Sequence, residues 1–130
     1  KKNIIFSAVS IGNPHALVIT NDIESSLFDT TATALQKNSI FPEGVNVGFA
    51  KIMDRKTIKL RVFERGVGET LACGSGACAA TAVLRQQDLV DEMVDVELRG
   101  GVLKISWAGE DQSIFMDGPV STVYEGEIEL

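Results

Sequence analysis

The sequence predicts an α+β domain in which a curled sheet surrounds one apolar helix, and three observations predict it. Short β-branched runs recur along most of the chain, divided by clusters of Gly, Asn, Pro and Asp. The stretch Gly76 to Arg85 contains Ala77-Cys78-Ala79-Ala80-Thr81-Ala82-Val83-Leu84, which lacks the polar face a surface helix carries. Of the 130 residues 45% are hydrophobic, yet no run approaches the ~20 apolar residues of a bilayer span, so the apolar content belongs to one core. A helix that is apolar all round is satisfied when a sheet wraps it.

Taken in order, Ile4 to Val9 and Ala16 to Ile19 are strand-like and flank Gly12-Asn13-Pro14-His15, whose Gly and Asn-Pro mark a turn or loop. Ser26 to Lys37 places Leu27, Thr31, Ala34 and Leu35 at helical spacing, with Asp22, Ser25 and Ser26 ahead of it as capping candidates. After Pro42-Glu43-Gly44, Val45 to Met53 and Thr57 to Phe63 form a hairpin pattern about Asp54-Arg55-Lys56. Because side chains alternate across a strand, Ile58, Leu60 and Val62 are expected in the core, and Lys59 and Arg61 in solvent. A glycine-dense loop, Gly66 to Gly76, leads into the apolar helix. Four more strands are expected at Val94 to Leu98, Val102 to Trp107, Ser113 to Met116 and Val120 to Tyr124.

The charge balance, 18 acidic against 12 basic residues and a net −6, disfavours a nucleic-acid partner, since a phosphate backbone selects a positive face. Lys1-Lys2 runs into a strand-like stretch with no small-residue cleavage site, so no signal peptide is read. The expectation is a cytoplasmic protein with no membrane partner. The chain starts without Met and directly on a strand pattern, as expected for a piece of a longer polypeptide. Cys73 and Cys78 suit thiol chemistry or burial better than a disulfide framework, and with a single His they do not make a four-ligand zinc set.

The segment Glu64-Arg65-Gly66-Val67-Gly68-Glu69-Thr70-Leu71-Ala72-Cys73-Gly74-Ser75-Gly76-Ala77-Cys78-Ala79-Ala80 carries the chemistry. Its glycines permit unusual dihedrals and close approach of backbone to a ligand. Where such a loop enters a helix its free N–H groups converge at the positive end of the dipole, so a carboxylate or phosphate is expected on Gly74 to Gly76. Cys73 lies just ahead of that helix, where the same field favours a thiolate. Cys78, among alanines, reads as a small buried hydrophobe. The loop lacks the Gly-Lys-Ser/Thr end of a P-loop and the strand context of a dinucleotide fingerprint, so nucleotide binding is not expected. Taken singly, Asn13 also suits an Asn-Pro turn, His15 a structural role, and Glu64-Arg65 an exposed ion pair.

Gly12-Asn13-Pro14-His15-Ala16, Pro42-Glu43-Gly44-Val45-Asn46-Val47 and the Glu64 to Ala80 loop resemble the diaminopimelate epimerase family in sequence, order and spacing. The resemblance covers essentially the whole chain but only the second of the family's two similar domains. It implies that residues 1–130 are a C-terminal domain whose N-terminal domain is absent from this chain. It also implies a mixed, mostly antiparallel sheet curled into a barrel around the central helix. The implied activity is epimerisation of LL- to meso-diaminopimelate, for lysine and peptidoglycan precursors, without pyridoxal phosphate, other cofactor or metal. Two thiols, one per domain, exchange the α-proton.

By matching of motifs, Cys73 is implied as one thiol, with His15 and Glu64 poising it. Asn13, Asn46, Glu64 and Arg65 are implied as substrate contacts, and Gly74 and Ser75 as donors to the α-carboxylate. An amino-acid α-proton is so weakly acidic that preorganised donors must stabilise the developing carbanion. The implied partners are diaminopimelate, the N-terminal domain and a second copy in a homodimer, through the region of Tyr124. The chain alone is expected to be inactive. A proline or hydroxyproline racemase, a phenazine-biosynthesis isomerase, and a non-catalytic carboxylate-binding or dimerisation half-domain are the alternatives. Cys73 speaks against the phenazine type, and the Asn-Pro-His and Pro-Glu-Gly-Val-Asn-Val motifs against the racemases.

Overall fold

The computed structural model describes residues 3–130; Lys1 and Lys2, on which the signal-peptide reading partly rests, lie outside the described residues. The chain forms strands β1 (Ser7–Ser10), β2 (Pro14–Ile19), β3 (Asn46–Asp54), β4 (Thr57–Glu64), β5 (Gly68–Thr70), β6 (Met93–Leu98), β7 (Gly101–Trp107) and β8 (Ile114–Asp117). Helix α1 (Phe28–Gln36) lies between β2 and β3, and α2 (Gly74–Gln86) between β5 and β6. One sheet runs in the order β1-β2-β3-β4-β6-β7-β8, with β5 paired to β4 off that path. The β2–β3 and β4–β6 pairs are parallel and the others antiparallel.

The sheet curls because β4 changes partner along its length. Thr57–Lys59 pairs with β6 and Val62–Glu64 with β5, so the strands diverge around α2. Helix α2 touches β1, β2, β3, β4, β7 and β8. From Gly76 to Leu84 every residue except Cys78 is buried, which accounts for the absence of a polar face. Its alanines let the helix lie close to Leu60, Val62, Val94, Val96 and Ile105 of the sheet. The expected barrel is corrected to a half-barrel: β1 and β8 stand at opposite ends of the strand order and do not pair with each other.

The other sheet face is also covered, which changes three further expectations. Phe28 of α1 stacks on Phe49 at 4.0 Å between ring centroids, and Phe49 meets Phe63 edge-on at 5.6 Å. The buried stripe of α1 is therefore Phe28, Ala32 and Leu35, not Leu27, Thr31 and Ala34, because the aromatic contact sets the helix rotation. Arg61 is not solvated either. Its guanidinium lies over the Phe28 and Phe63 rings and pairs with Glu69 at 2.6 Å. The expected caps fall short of the helix, since Asp22 Oδ1 accepts from Glu24 N–H and Ser25 Oγ from Leu27 N–H, while Leu27 at the N-cap makes no side-chain cap.

Two strand assignments also change. β5 was hidden within the glycine loop, and Val120 to Tyr124 is not a strand: the residues beyond Asp117 are exposed and outside the sheet, where their β-branched side chains have no neighbouring strand to pack on. No helix among the described residues is long and apolar enough to cross a membrane.

Candidate active site at the start of helix α2

Strand alternation and register assemble this site. Leu17, Leu60 and Val62 pack in the α2 core, whereas Ala16, Val47 and Phe63 pack toward the other side with α1. His15, two residues before Leu17, Asn46, two before Gly48, and Glu64, two after Val62, thus face α2. His15 is level with Asn46 across the parallel pair, and continuing the Val47–Phe63 register brings Asn46 level with Glu64. Three polar side chains therefore form one row across β2, β3 and β4, on the helix side of the sheet.

Cys73 is the N-cap of α2, in extended conformation, and its Sγ accepts from Gly76 N–H at 3.3 Å. Ala77 N–H goes to the Cys73 carbonyl. A helix leaves its first N–H groups without intrahelical acceptors; the anion expected on Gly74 to Gly76 is narrowed to Gly74 and Ser75, because the Gly76 N–H is taken by the Cys73 sulfur. Gly76 is closely packed: a Cβ there would stand 3.0 Å from Val62 Cγ2 and 3.2 Å from the sulfur, so one of the two would have to give. At Gly74 a Cβ would stand 2.9 Å from Met116 Sδ, so β8 closes over the first turn. Nothing in the sequence signals Met116, because its placement depends on the last sheet strand returning past the helix.

Polar side chains converge on the sulfur from the β1–β2 turn. Ser75 Oγ lies 3.5 Å from Cys73 Sγ, Asn13 Nδ2 donates to Ser75 Oγ at 3.4 Å, and His15 Nε2 is 3.3 Å from Asn13 Oδ1. Burial lowers the His15 pKa from its ordinary 6.5, and the nearby Glu64 charge opposes that shift. Asn46 is tied into the framework, its Nδ2 donating to the Pro14 carbonyl and its Oδ1 accepting from Arg65 N–H. The Arg65 side chain turns to the Glu43 carbonyl and packs beside Gly44, and it is the exposed member of the set.

Thus Cys73, Ser75, Asn13 and His15 are joined in series, Glu64 stands in the same row as His15 with Asn46 between them, Asn46 ties Pro14 to Arg65, and Arg65 stands at the rim. Cys78 is half-buried against the core, less enclosed than expected, and burial followed by the proximity of Cys73 raises its pKa. Among the described residues no three His, Cys, Asp or Glu side chains gather into a metal-ligating group.

Glu69 and Gly100 hold the loop that delivers Cys73. Arg99 Nη1 contacts Glu69 Oε1 at 2.7 Å, and the same carboxylate holds Arg61. Gly100 N–H donates to the Leu71 carbonyl at 2.7 Å, and a Cβ at Gly100 would stand 2.8 Å from that oxygen. Sequence reading missed these anchors, since Arg99-Gly100-Gly101 looks like any hairpin turn.

Comparison with known proteins identifies the family of the chain. The profile of the family described as diaminopimelate epimerase matches residues 7–123. A diaminopimelate epimerase of Xanthomonas axonopodis pv. citri is 50% identical over 126 residues, 97% of this chain and 44% of the relative. One from Nitrosomonas europaea is 50% identical over 129 residues, 99% of this chain and 47% of the relative. The chain thus spans less than half the length of these curated relatives.

Among solved structures, a phenazine biosynthesis protein of the PhzF family from Bacillus anthracis aligns with a TM-score of 0.62 at 20% identity, covering 87% of this chain and 38% of that one. A protein described as a predicted epimerase of Pseudomonas aeruginosa has a TM-score of 0.62 at 14% identity, covering 81% of this chain and 36% of that one. These two likenesses establish the half-barrel fold, and the half-identical sequences with the matched profile decide among the families that share it: the chain belongs to the diaminopimelate epimerase family.

Proposed function

We propose that this chain is the C-terminal half of a cytoplasmic, cofactor-independent enzyme that interconverts LL- and meso-diaminopimelate, with Cys73 as one of two proton-transfer thiols. The carrying observation is the Cys73 sulfur at the N-cap of α2, 3.3 Å from Gly76 N–H and beside the Ser75 hydroxyl. In this reading the substrate α-carboxylate sits on the Gly74 and Ser75 N–H groups, where the helix end favours negative charge. One thiolate takes the α-proton and becomes a thiol; the second thiol, across the α-carbon, gives its proton to the opposite face.

The carbanion formed between these transfers is stabilised through the carboxylate, whose charge grows in the transition state. Each tenfold gain in rate corresponds to about 1.4 kcal/mol of such selective stabilisation. Asn13, Asn46, Glu64 and Arg65 fix the amino and carboxylate groups around that centre, and His15 with Glu64 poises the thiol. In this reading the second thiol and the facing half of the pocket come from a further domain, which agrees with the chain spanning less than half the length of its relatives.

The test is α-hydrogen exchange in heavy water. The isolated chain mixed with diaminopimelate should incorporate no deuterium above background, whereas the full-length protein should, and Cys73→Ser in that protein should abolish epimerisation. Clear exchange by the isolated chain would overturn the two-thiol requirement. A full-length protein that exchanges proline but not diaminopimelate would move the assignment to the racemases that share the fold.

A further inference from the structure

Three polar contacts run in series from a buried imidazole to the sulfur: His15 Nε2 to Asn13 Oδ1 at 3.3 Å, Asn13 Nδ2 to Ser75 Oγ at 3.4 Å, and Ser75 Oγ to Cys73 Sγ at 3.5 Å. Such a series has a direction. A serine hydroxyl has one hydrogen, and an amide carries its donor and its acceptor on different atoms, so neither residue can turn without its neighbours turning too. With Asn13 Nδ2 donating to Ser75 Oγ, the Ser75 hydrogen is released toward Cys73 Sγ. The sulfur then accepts from both Ser75 O–H and Gly76 N–H, the arrangement that suits a thiolate.

In the opposite direction the sulfur is the donor. Cys73 S–H points at Ser75 Oγ, Ser75 O–H at Asn13 Oδ1, and the flipped Asn13 amide at a bare His15 Nε2. Changing direction needs rotation of one hydroxyl and one amide together with a change of His15 tautomer, in which Nε2 loses its hydrogen and Nδ1 gains one by exchange with water. No proton passes through Asn13 or Ser75; the one exchanged at sulfur goes to or comes from the substrate carbon. His15, only 4% exposed, cannot swing into solvent to escape the coupling. Asn13 is itself held in place by the preceding Gly12, at φ +102°, and by Pro14 at the start of β2.

We infer that Asn13 is a positioning residue for Cys73, which holds the Ser75 hydroxyl turned toward the sulfur and so sets the hydrogen bonding of that sulfur, and with it the reactivity of Cys73, before any substrate arrives. The inference rests on Cys73 being a proton-transfer thiol, and it assigns Asn13 a task distinct from touching substrate.

The test uses the ligand-free full-length protein and iodoacetamide at neutral pH, with the alkylated Cys73 peptide quantified by mass spectrometry so that other thiols are counted apart. Asn13→Leu should slow alkylation of Cys73 about tenfold, the scale of losing one hydrogen bond to a charged acceptor. Ser75→Ala should slow it similarly, and the double variant should be no slower than Ser75→Ala alone, because both changes cut one series. Ser75→Thr, which keeps the hydroxyl, should restore the wild-type rate.

An unchanged rate in Asn13→Leu, or a double variant slowed by the product of the two single effects, overturns the inference. If Asn13→Leu does not fold, the comparison of Ser75→Ala with Ser75→Thr decides, and equal rates overturn it. α-Hydrogen exchange on diaminopimelate, measured in parallel, separates the two readings. Exchange without an alkylation effect refutes this inference alone; the alkylation pattern without exchange refutes the proposed substrate and leaves the series standing.

Discussion

Replacing Gly76 by Ala sets two well-defined effects against each other. At this first-turn position the change gains at most about 1 kcal/mol from backbone entropy and propensity. The added Cβ would, however, stand 3.0 Å from Val62 Cγ2 and 3.2 Å from Cys73 Sγ. Val62 is 1% exposed and fixed in the α2 core, so the group able to yield is the sulfur. Overpacking of this kind costs about 1–3 kcal/mol. The balance is a net loss of roughly 0–2 kcal/mol, together with displacement of the sulfur from Gly76 N–H. Urea unfolding and the rate of Cys73 alkylation read the two consequences separately. A stabilisation by the full propensity gain with unchanged alkylation would refute the claim that Gly76 is there to admit Val62 and the sulfur.

Two other perturbations test the framework. Arg61→Ala removes a guanidinium that holds Glu69 at 2.6 Å, donates to the Ile23 carbonyl and covers Phe28 and Phe63, with side-chain exposures of only 13% and 20% in the ion pair. It should cost about 2–4 kcal/mol in urea unfolding, less than a fully buried pair and more than a surface one; a loss within the surface range would refute the packing role. For His15, burial depresses the folded-state pKa below 6.5, so the unfolded chain binds its proton more readily. Stability is then fully present above that value and falls as pH drops below it. The urea midpoint should decline on acidification from pH ~7 to ~5.5, with a shallower slope in His15→Gln and, since Glu64 opposes the shift, a steeper one in Glu64→Gln. An identical slope in His15→Gln and wild type would count against burial as the cause.

The elements legible in the sequence are those whose patterns arise locally. Thr57–Phe63 alternates because one face meets α2, and the apolar run after Gly76 announces a helix with no solvent face. Cys73 was legible because a glycine loop running into a helix is a local feature with a local electrostatic consequence. What escaped depended on distant partners. Arg61 alternates as a solvent-facing residue should, and only the arrival of α1 converts its face into a second core with Phe49 and Phe63. Val120–Tyr124 has the composition of a strand but no strand beside it. The roles of Ser75 and Asn13 as links between His15 and the sulfur depend on a contact 62 residues apart in sequence, which no spacing rule reaches.

The position of the polar row relative to the helix follows from two different rises per residue. Gly76 meets Val62, and the next residue of β4 on the same face is Glu64. From Val62 to Glu64 the strand advances about 6.6 Å. Only Gly74 and Ser75 lie between Gly76 and the helix end, about 3 Å along the axis. The strands therefore outrun the helix by roughly one residue's length. His15, Asn46 and Glu64 stand at its mouth, the first two buried and Glu64 half-buried, with Ser75 of the helix reaching them through Asn13. Adding one helical turn before Gly74 would carry the N–H groups and Cys73 past that row. Starting the helix one turn later would keep the row but withdraw Cys73 and the positive helix end from it. A helix that starts at Gly74 is thus the one that brings sulfur, amide donors and polar row to a common edge.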